Sequence, residues 1–187
     1  PYDRARNGFV VGAGAGCLVL ERRSHAERRG VNWYAEIVAG RLATDPAGMT
    51  QLDSAGHALA RLIEMTCRGE CPDHIQLHGT GTRLNDPAEC RAVRQVFGDK
   101  ANDILHSSLK GALGHLLGAA GSVETALACL SLRDQTIAAC ANLNDLDPAC
   151  ALPFVQAAPA RSTIRTVLKL SLGFGGHQAA ILLRKPM

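Results

Sequence analysis

The sequence predicts an α/β protein with a mixed sheet, and three observations predict it. Short apolar runs alternate with segments of helical period along the 187 residues. Glycine-bearing stretches at 12–16, 79–81, 111–121 and 173–176 follow the ends of apolar runs, where open α/β sheets gather their active-site loops. The stretch "TVLKLSLGFGGHQAAILLRK" hinges two apolar runs on GFGG, a hairpin that makes the last strands antiparallel.

Taken in order, "GFVVGAGAGCLVLERR" reads as two apolar runs about a Gly/Ala hinge, the second (Cys17–Glu21) a buried strand. Ser24 caps a short helix that ends at Gly30, and Trp33–Leu42 alternates as a strand. Pro46–Asp53 is a loop. Ser54 then opens a helix with Leu59, Leu62, Ile63 and Met65 at helical spacing. His74–Leu77 is a strand running into Gly79-Thr80-Gly81-Thr82. Asp86 and Pro87 then suit the cap and first turn of a helix to about Val96. "ILHSSLK" is another short strand, and the Gly- and Ala-rich segment from His115 to Leu132 a helix buried on most sides.

Composition narrows the function. Hydrophobic residues at 47% can fill a core without staples, whereas a net charge of +3, with the "ERRSHAERR" cluster mixing both signs, gives no nucleic-acid footprint. The seven cysteines (17, 67, 71, 90, 129, 140 and 150) have no metal-site spacing and read as reduced thiols, so no metal or other cofactor is expected and the location expected is cytoplasmic. No apolar run reaches the ~20 residues of a membrane span, and "PYDRARNGFV" does not resemble a signal peptide. Lacking an initiator Met, the chain reads as a piece of a longer protein. "GAGAGC" fits neither the dinucleotide nor the phosphate-loop fingerprint.

Two groups of residues carry chemistry. His78 ends an apolar strand before Thr80 and Thr82, whose hydroxyls can bond a polar ligand; the alternative is a histidine satisfied by structure alone. Lys110 and His115 stand five positions apart among small and apolar residues. A buried ammonium must meet a carboxylate or give up its proton. Glu124, nine residues past His115, is the local candidate, and a Lys–Glu pair beside an imidazole can fix its tautomer.

In order and spacing, "PYDRARNGFVVGAGAGCLVLE", "HGTGTRLNDPAE", "SSLKGALGHLLGAAGSVE" and "LSLGFGGHQAA" resemble the C-terminal half of β-ketoacyl-acyl carrier protein synthases. The resemblance implies a thiolase-like fold: a five-stranded mixed sheet covered by helices, the second half of a duplicated architecture. Residues 31–187 would be that half, and residues 1–30 the last strands of the first. It implies decarboxylative Claisen condensation of malonyl-carrier protein with an acyl thioester, in fatty-acid or polyketide synthesis. His78 and His115 match the catalytic histidines, Lys110 the family lysine and Glu124 its glutamate. Thr80 and Thr82 match the threonines on the phosphopantetheine arm, and Phe174 a gating phenylalanine. The implied partners are acyl carrier protein, the missing N-terminal half bearing the nucleophilic Cys, and a second subunit in a homodimer or pair. Residues 1–187 alone would then not condense anything.

The chain departs from the family pattern at Ala13, at Leu170 and Leu172, and at His177-Gln178, where polar or aromatic groups are exchanged and an extra imidazole is added. Two other functions compete. A non-catalytic, chain-length-factor-like partner would lack the histidines and the HGTGT loop, and a thiolase-type acyltransferase acting on coenzyme A would lack the Lys110–His115 pattern.

Overall fold

The computed structural model describes residues 1–48 and 52–186. Part of the expected Pro46–Asp53 loop, residues 49–51, lies outside them. Five strands form the main sheet: β1 (Glu36–Thr44), β2 (His74–Gln76), β3 (Leu105–Ser107), β6 (Thr166–Leu172) and β7 (His177–Arg184). Their order is β1-β7-β6-β2-β3. β1, β7 and β6 pair antiparallel, and β6, β2 and β3 pair parallel. The mixed sheet and the hairpin about GFGG are as the sequence predicts, and the five strands are as the family resemblance implies. β4 (Thr136–Ile137) and β5 (Ala160–Arg161) make a separate two-stranded ribbon.

Helices cover both faces because the strands present apolar side chains to both. Along β6, Leu168 and Leu170 join the cluster made with Leu59, Leu62 and Ile63 of α2 (His57–Cys67) and Val93 of α3 (Asn85–Phe97). Val167 joins Ala128 and Leu132 of α5 (Ala120–Asp134). With a side-chain period of two, Lys169 shares the α5 face with Val167. Leu170, where the family pattern has Asn, is simply core.

Several local expectations need correction. Residues 8–20 form no strand: Leu18, Val19 and Leu20 are exposed, as is Cys17. Among the described residues no neighbouring strand lies alongside, and an unpaired strand cannot satisfy its N–H and C=O groups. The segment is tied to the rest by the Gly8 N–H on the Gly81 carbonyl at 2.9 Å, by the Phe9 ring on His115, and by an isolated bridge from Val11 to His115. The helix expected from His115 begins at Ala120, because Leu117 (φ 50°) is left-handed and cannot propagate helix. α1 (Arg23–Arg29) forms with Gly30 as its left-handed cap, yet Arg22 rather than Ser24 precedes it. Gly56, not Ser54, is the residue that precedes α2, and Asp53 accepts from the N–H of its first residue, His57, at 2.7 Å. In that helix Leu59, Leu62 and Ile63 are buried, while Met65 is exposed.

Two histidines within the sheet make an acid-sensitive point. His74 on β2 and His106 on β3 are buried. Burial first, and for His74 the neighbouring His106, push the imidazoles down to about 3 and about 4. His74 Nδ1 and His106 Nε2 have no partner among the described residues. Below pH ~6.5 the unfolded chain takes up protons that the folded chain refuses, so stability is full above that pH and falls as it is lowered. Each imidazole contributes a slope of about 1.4 kcal/mol per pH unit down to its folded value. Urea midpoints measured from pH 7 to 5 should fall steeply, and His106→Gln should flatten the slope. A stability independent of pH over that range would contradict this reading.

Candidate active site

The site lies where β2 and β6 end and where the loop before α5 passes between them. β2 delivers His78 into a left-handed turn at Gly79 (φ 51°), and a Cβ there would meet Ser108 Oγ at 2.5 Å. Two acids of α3 hold this turn from behind. Glu89 accepts from the N–H groups of His78 and Gly79, both at 2.7 Å, and from Asn85 Nδ2 at 2.7 Å. Asp86 accepts from the N–H of Gly81 at 3.1 Å and of Tyr2 at 2.7 Å, and lies 3.4 Å from Arg6 Nε. Asp86 therefore does not cap its helix: Thr82 Oγ1 accepts from the Asn85 N–H at 3.2 Å instead. The acids fix the backbone, leaving the His78 ring and the threonines free to face outward.

Beneath His78 sits a buried cluster of charges. Lys110, the first residue of α4 (Lys110–Leu113), donates from Nζ to the His78 carbonyl at 2.7 Å and to Glu124 Oε1 at 2.6 Å. The same nitrogen lies 3.3 Å from His78 Nδ1. Lys110 and Glu124 are buried, and Glu124 Oε2 lies 2.7 Å from Lys169 Nζ of β6. After Lys110 the backbone is packed so tightly that a Cβ at Gly111 would overlap the Ala141 carbonyl. A larger residue is excluded there.

His115 is half-buried, and its main chain is clamped by the N-terminal segment. Its N–H donates to the Val10 carbonyl at 2.7 Å, and its own carbonyl accepts from Gly12 at 3.0 Å. Its ring meets that of His78 edge-on, centroids 5.4 Å apart, and packs on Phe9 at 5.0 Å.

The hydrogen bonds define the tautomers. The N–H of Leu117 donates to His115 Nδ1 at 3.0 Å, so that nitrogen is an acceptor and Nε2 carries the proton. A three-proton ammonium at His78 Nδ1 makes the same assignment there. Burial first, then the Lys110 charge, holds the His78 ring well below its ordinary value and lowers that of His115. Both rings are then neutral at pH 7, each with one Nε2–H to offer.

They open into a cleft of about 590 Å³ that is also lined by Thr80, Thr82, Arg83, Leu172, Phe174, His177 and Gln178. Thr80 and Thr82 bond each other through their hydroxyls at 3.0 Å. Phe174 stands exposed at the rim. The structure thus brings His78, Lys110, His115 and Glu124 into direct or one-residue contact, with Thr80, Thr82 and Phe174 on the same cleft. Among the departures, Leu172, His177 and Gln178 line it, whereas Ala13 is exposed in the N-terminal coil. Sequence reasoning missed Lys169, Asp86 and Glu89. Their signal was charge at buried parity: a lysine inside the apolar run "TVLKLSL" and acids three apart on a packed helix.

None of the cysteines lines this cleft among the described residues. Burial pushes the thiols of Cys67 and Cys140 up to about 12 and about 11, and that of Cys90 higher than its ordinary value, the reverse of a nucleophile.

The fold is thiolase-like, a mixed five-stranded sheet with helices on both faces and the cleft at the strand ends. Residues 34–144 match the beta-ketoacyl synthase C-terminal domain, and the chain belongs to the beta-ketoacyl synthase family. It is 38% identical over 190 residues to the 3-oxoacyl-[acyl-carrier-protein] synthase 2 of Coxiella burnetii, covering 99% of this chain and 46% of that protein. It is 38% identical over 191 residues to the tetracenomycin polyketide synthase ketoacyl synthase alpha subunit of Streptomyces glaucescens, covering 100% and 45%. Among solved structures, it superposes with a TM-score of 0.97 and 34% identity on a type II polyketide synthase ketosynthase complexed with its acyl-carrier protein and bound to the hexaketide, covering 100% of this chain and 47% of that one. The chain spans about half the length of the curated relatives it matches.

Proposed function

We propose that this chain is the C-terminal half of a β-ketoacyl-acyl carrier protein synthase, and that its cleft performs the decarboxylation step of a Claisen condensation. The observation that carries the reading is the pair of neutral imidazoles 5.4 Å apart, each with Nδ1 engaged and Nε2–H left for the cleft. When a malonyl thioester loses CO₂, the C–C bond to the carboxylate breaks and its electron pair moves onto the thioester oxygen as an enolate. Two fixed N–H donors are what such an oxygen needs. Being neutral, they donate hydrogen bonds without protonating the intermediate outright. The enolate carbon then attacks the carbonyl of an acyl group held on a cysteine, and that thiolate leaves.

The thiol belongs to a segment outside residues 1–187, since the thiols here are remote or raised. Residues 31–187 are read as the C-terminal half, with residues 1–30 as the end of the first half. Thr80 and Thr82 would bond the amides of the phosphopantetheine arm, and Phe174 would gate the acyl side. The partners are malonyl- and acyl-carrier protein, the other half, and a second subunit. The cytoplasm is the expected compartment, and no helix among the described residues is long and apolar enough to cross a membrane.

The test is CO₂ release from carboxyl-labelled malonyl-carrier protein by the protein that carries this chain, together with β-ketoacyl product. Decarboxylation and product are both expected. Neither reaction, with carrier still bound, would make the chain a non-catalytic partner, and turnover of coenzyme A thioesters alone would assign it to the thiolase branch.

A further inference from the structure

One buried cation plays no part in the reading above. Lys169 is fully buried in β6, on the sheet face that packs against α5. Its Nζ donates to Ser171 Oγ at 2.9 Å and to the Leu170 carbonyl, and it lies 2.7 Å from Glu124 Oε2. Three oxygens surround the nitrogen, the number of protons an ammonium has to offer. Lys110 is matched the same way, with the His78 carbonyl, His78 Nδ1 and Glu124 Oε1. Glu124 Oε2 has no hydrogen-bond partner among the described residues, and the Lys169 ammonium 2.7 Å away is its ion-pair partner. One carboxylate therefore stands between two ammoniums.

A lone Lys110–Glu124 pair would be neutral, and would do no more than hold His78 in place. The second lysine leaves one positive charge unbalanced in a dry pocket, where it acts at longer range than in water. We propose that Lys169 is a positioning residue of the site: its ammonium, locked on Glu124 under His78, makes the buried Lys–Glu–Lys cluster net positive and so keeps both imidazoles uncharged and their Nε2–H groups ready for a developing oxyanion.

The charged and titratable groups facing the cluster are few. His78 comes from the end of β2, Lys110 from α4, His115 from the loop before α5, and Glu124 from α5. Glu89 of α3 also acts on it, but its oxygens are committed to the His78 and Gly79 N–H groups on the far side of the turn. The direction of each effect agrees. After burial and Lys110, Lys169 is a further cause of the lowered His78 ring, and it also lowers His115, which Glu124 opposes. Burial lowers Lys169 itself, with the Glu124 carboxylate opposing.

The chemical purpose rests on the enolate reading of the cleft, but the primary test does not. In the protein that carries this chain, labelled with ¹⁵N-histidine, the titration of His115 is followed by NMR in the parent and in K169M, K169Q and K169R. The two neutral variants should raise the His115 midpoint by at least about half a unit, and K169R should keep the parent value. K169Q is read beside K169M so that poor folding of the apolar variant leaves the test standing. An unmoved midpoint in both neutral variants overturns the proposal. A parallel assay of malonyl decarboxylation should show kcat reduced about tenfold, or ~1.4 kcal/mol, with KM held. A rise in KM alone would make Lys169 a shaper of the cleft and would also overturn it. A parent without decarboxylase activity but with the midpoint shift would sink the proposed function and leave this inference intact.

Discussion

Replacing His115 by alanine in the protein that carries this chain is expected to lower malonyl decarboxylation by about 100- to 1,000-fold, the usual effect of removing one oxyanion donor. Transfer of the acyl group onto the enzyme thiol should survive largely intact. The separation follows from geometry. The His115 ring shares the cleft with His78, and its Nδ1 is tied to the Leu117 N–H, so its one free donor can serve only what binds in the cleft. Its main chain, not its ring, ties the Val10–Gly12 segment down, so the truncation leaves that anchor in place. Steady-state CO₂ release and single-turnover labelling with an acyl thioester read the two steps separately. If labelling failed as severely as decarboxylation, His115 would be acting on the acyl side or on folding, and the role given to it would be wrong.

The sequence made the outline of this site legible, and the limits of that reading have physical causes. His78, Lys110 and Glu124 stood out because a charged or ionisable group in an apolar run calls for a partner, and the structure supplies the partners. The hairpin about Gly173–Gly176 was legible because two apolar runs of strand length flank a glycine hinge. The strand expected at Cys17–Glu21 shows the opposite case. Its pattern is local, but a strand exists only beside another, and pairing is not written in the segment itself. The helix expected from His115 failed in its first turns for a backbone reason: Leu117 adopts a left-handed angle, and the helical period of the side chains does not register it. Asp86 misled by type, since an Asp ahead of a helix is usually a cap, and here its carboxylate reaches back to Gly81 and Tyr2. Lys169 escaped notice because its meaning depends on which face of β6 it occupies. That parity is fixed only when Leu168 and Leu170 are seen to pack against α2 and α3.

Glu124→Gln should be the most damaging single change to stability. The parent carboxylate takes Lys110 at 2.6 Å on one oxygen and Lys169 at 2.7 Å on the other, all three side chains being buried. Removing one member of a buried pair typically costs about 3–5 kcal/mol, because the surviving charge is left dry and unmatched. Here two ammoniums survive, and they also repel each other. The amide keeps the shape, so the loss is electrostatic and not a cavity effect. Part of it should be recovered in the double variant E124Q/K169M, which restores the parent's count of one unbalanced charge. Urea unfolding of the parent, both single variants and the double gives the coupling as a double-mutant cycle. The cluster predicts that the double variant is more stable than E124Q alone. Additive losses, or an E124Q protein as stable as its parent, would show that Glu124 does not hold the two lysines together.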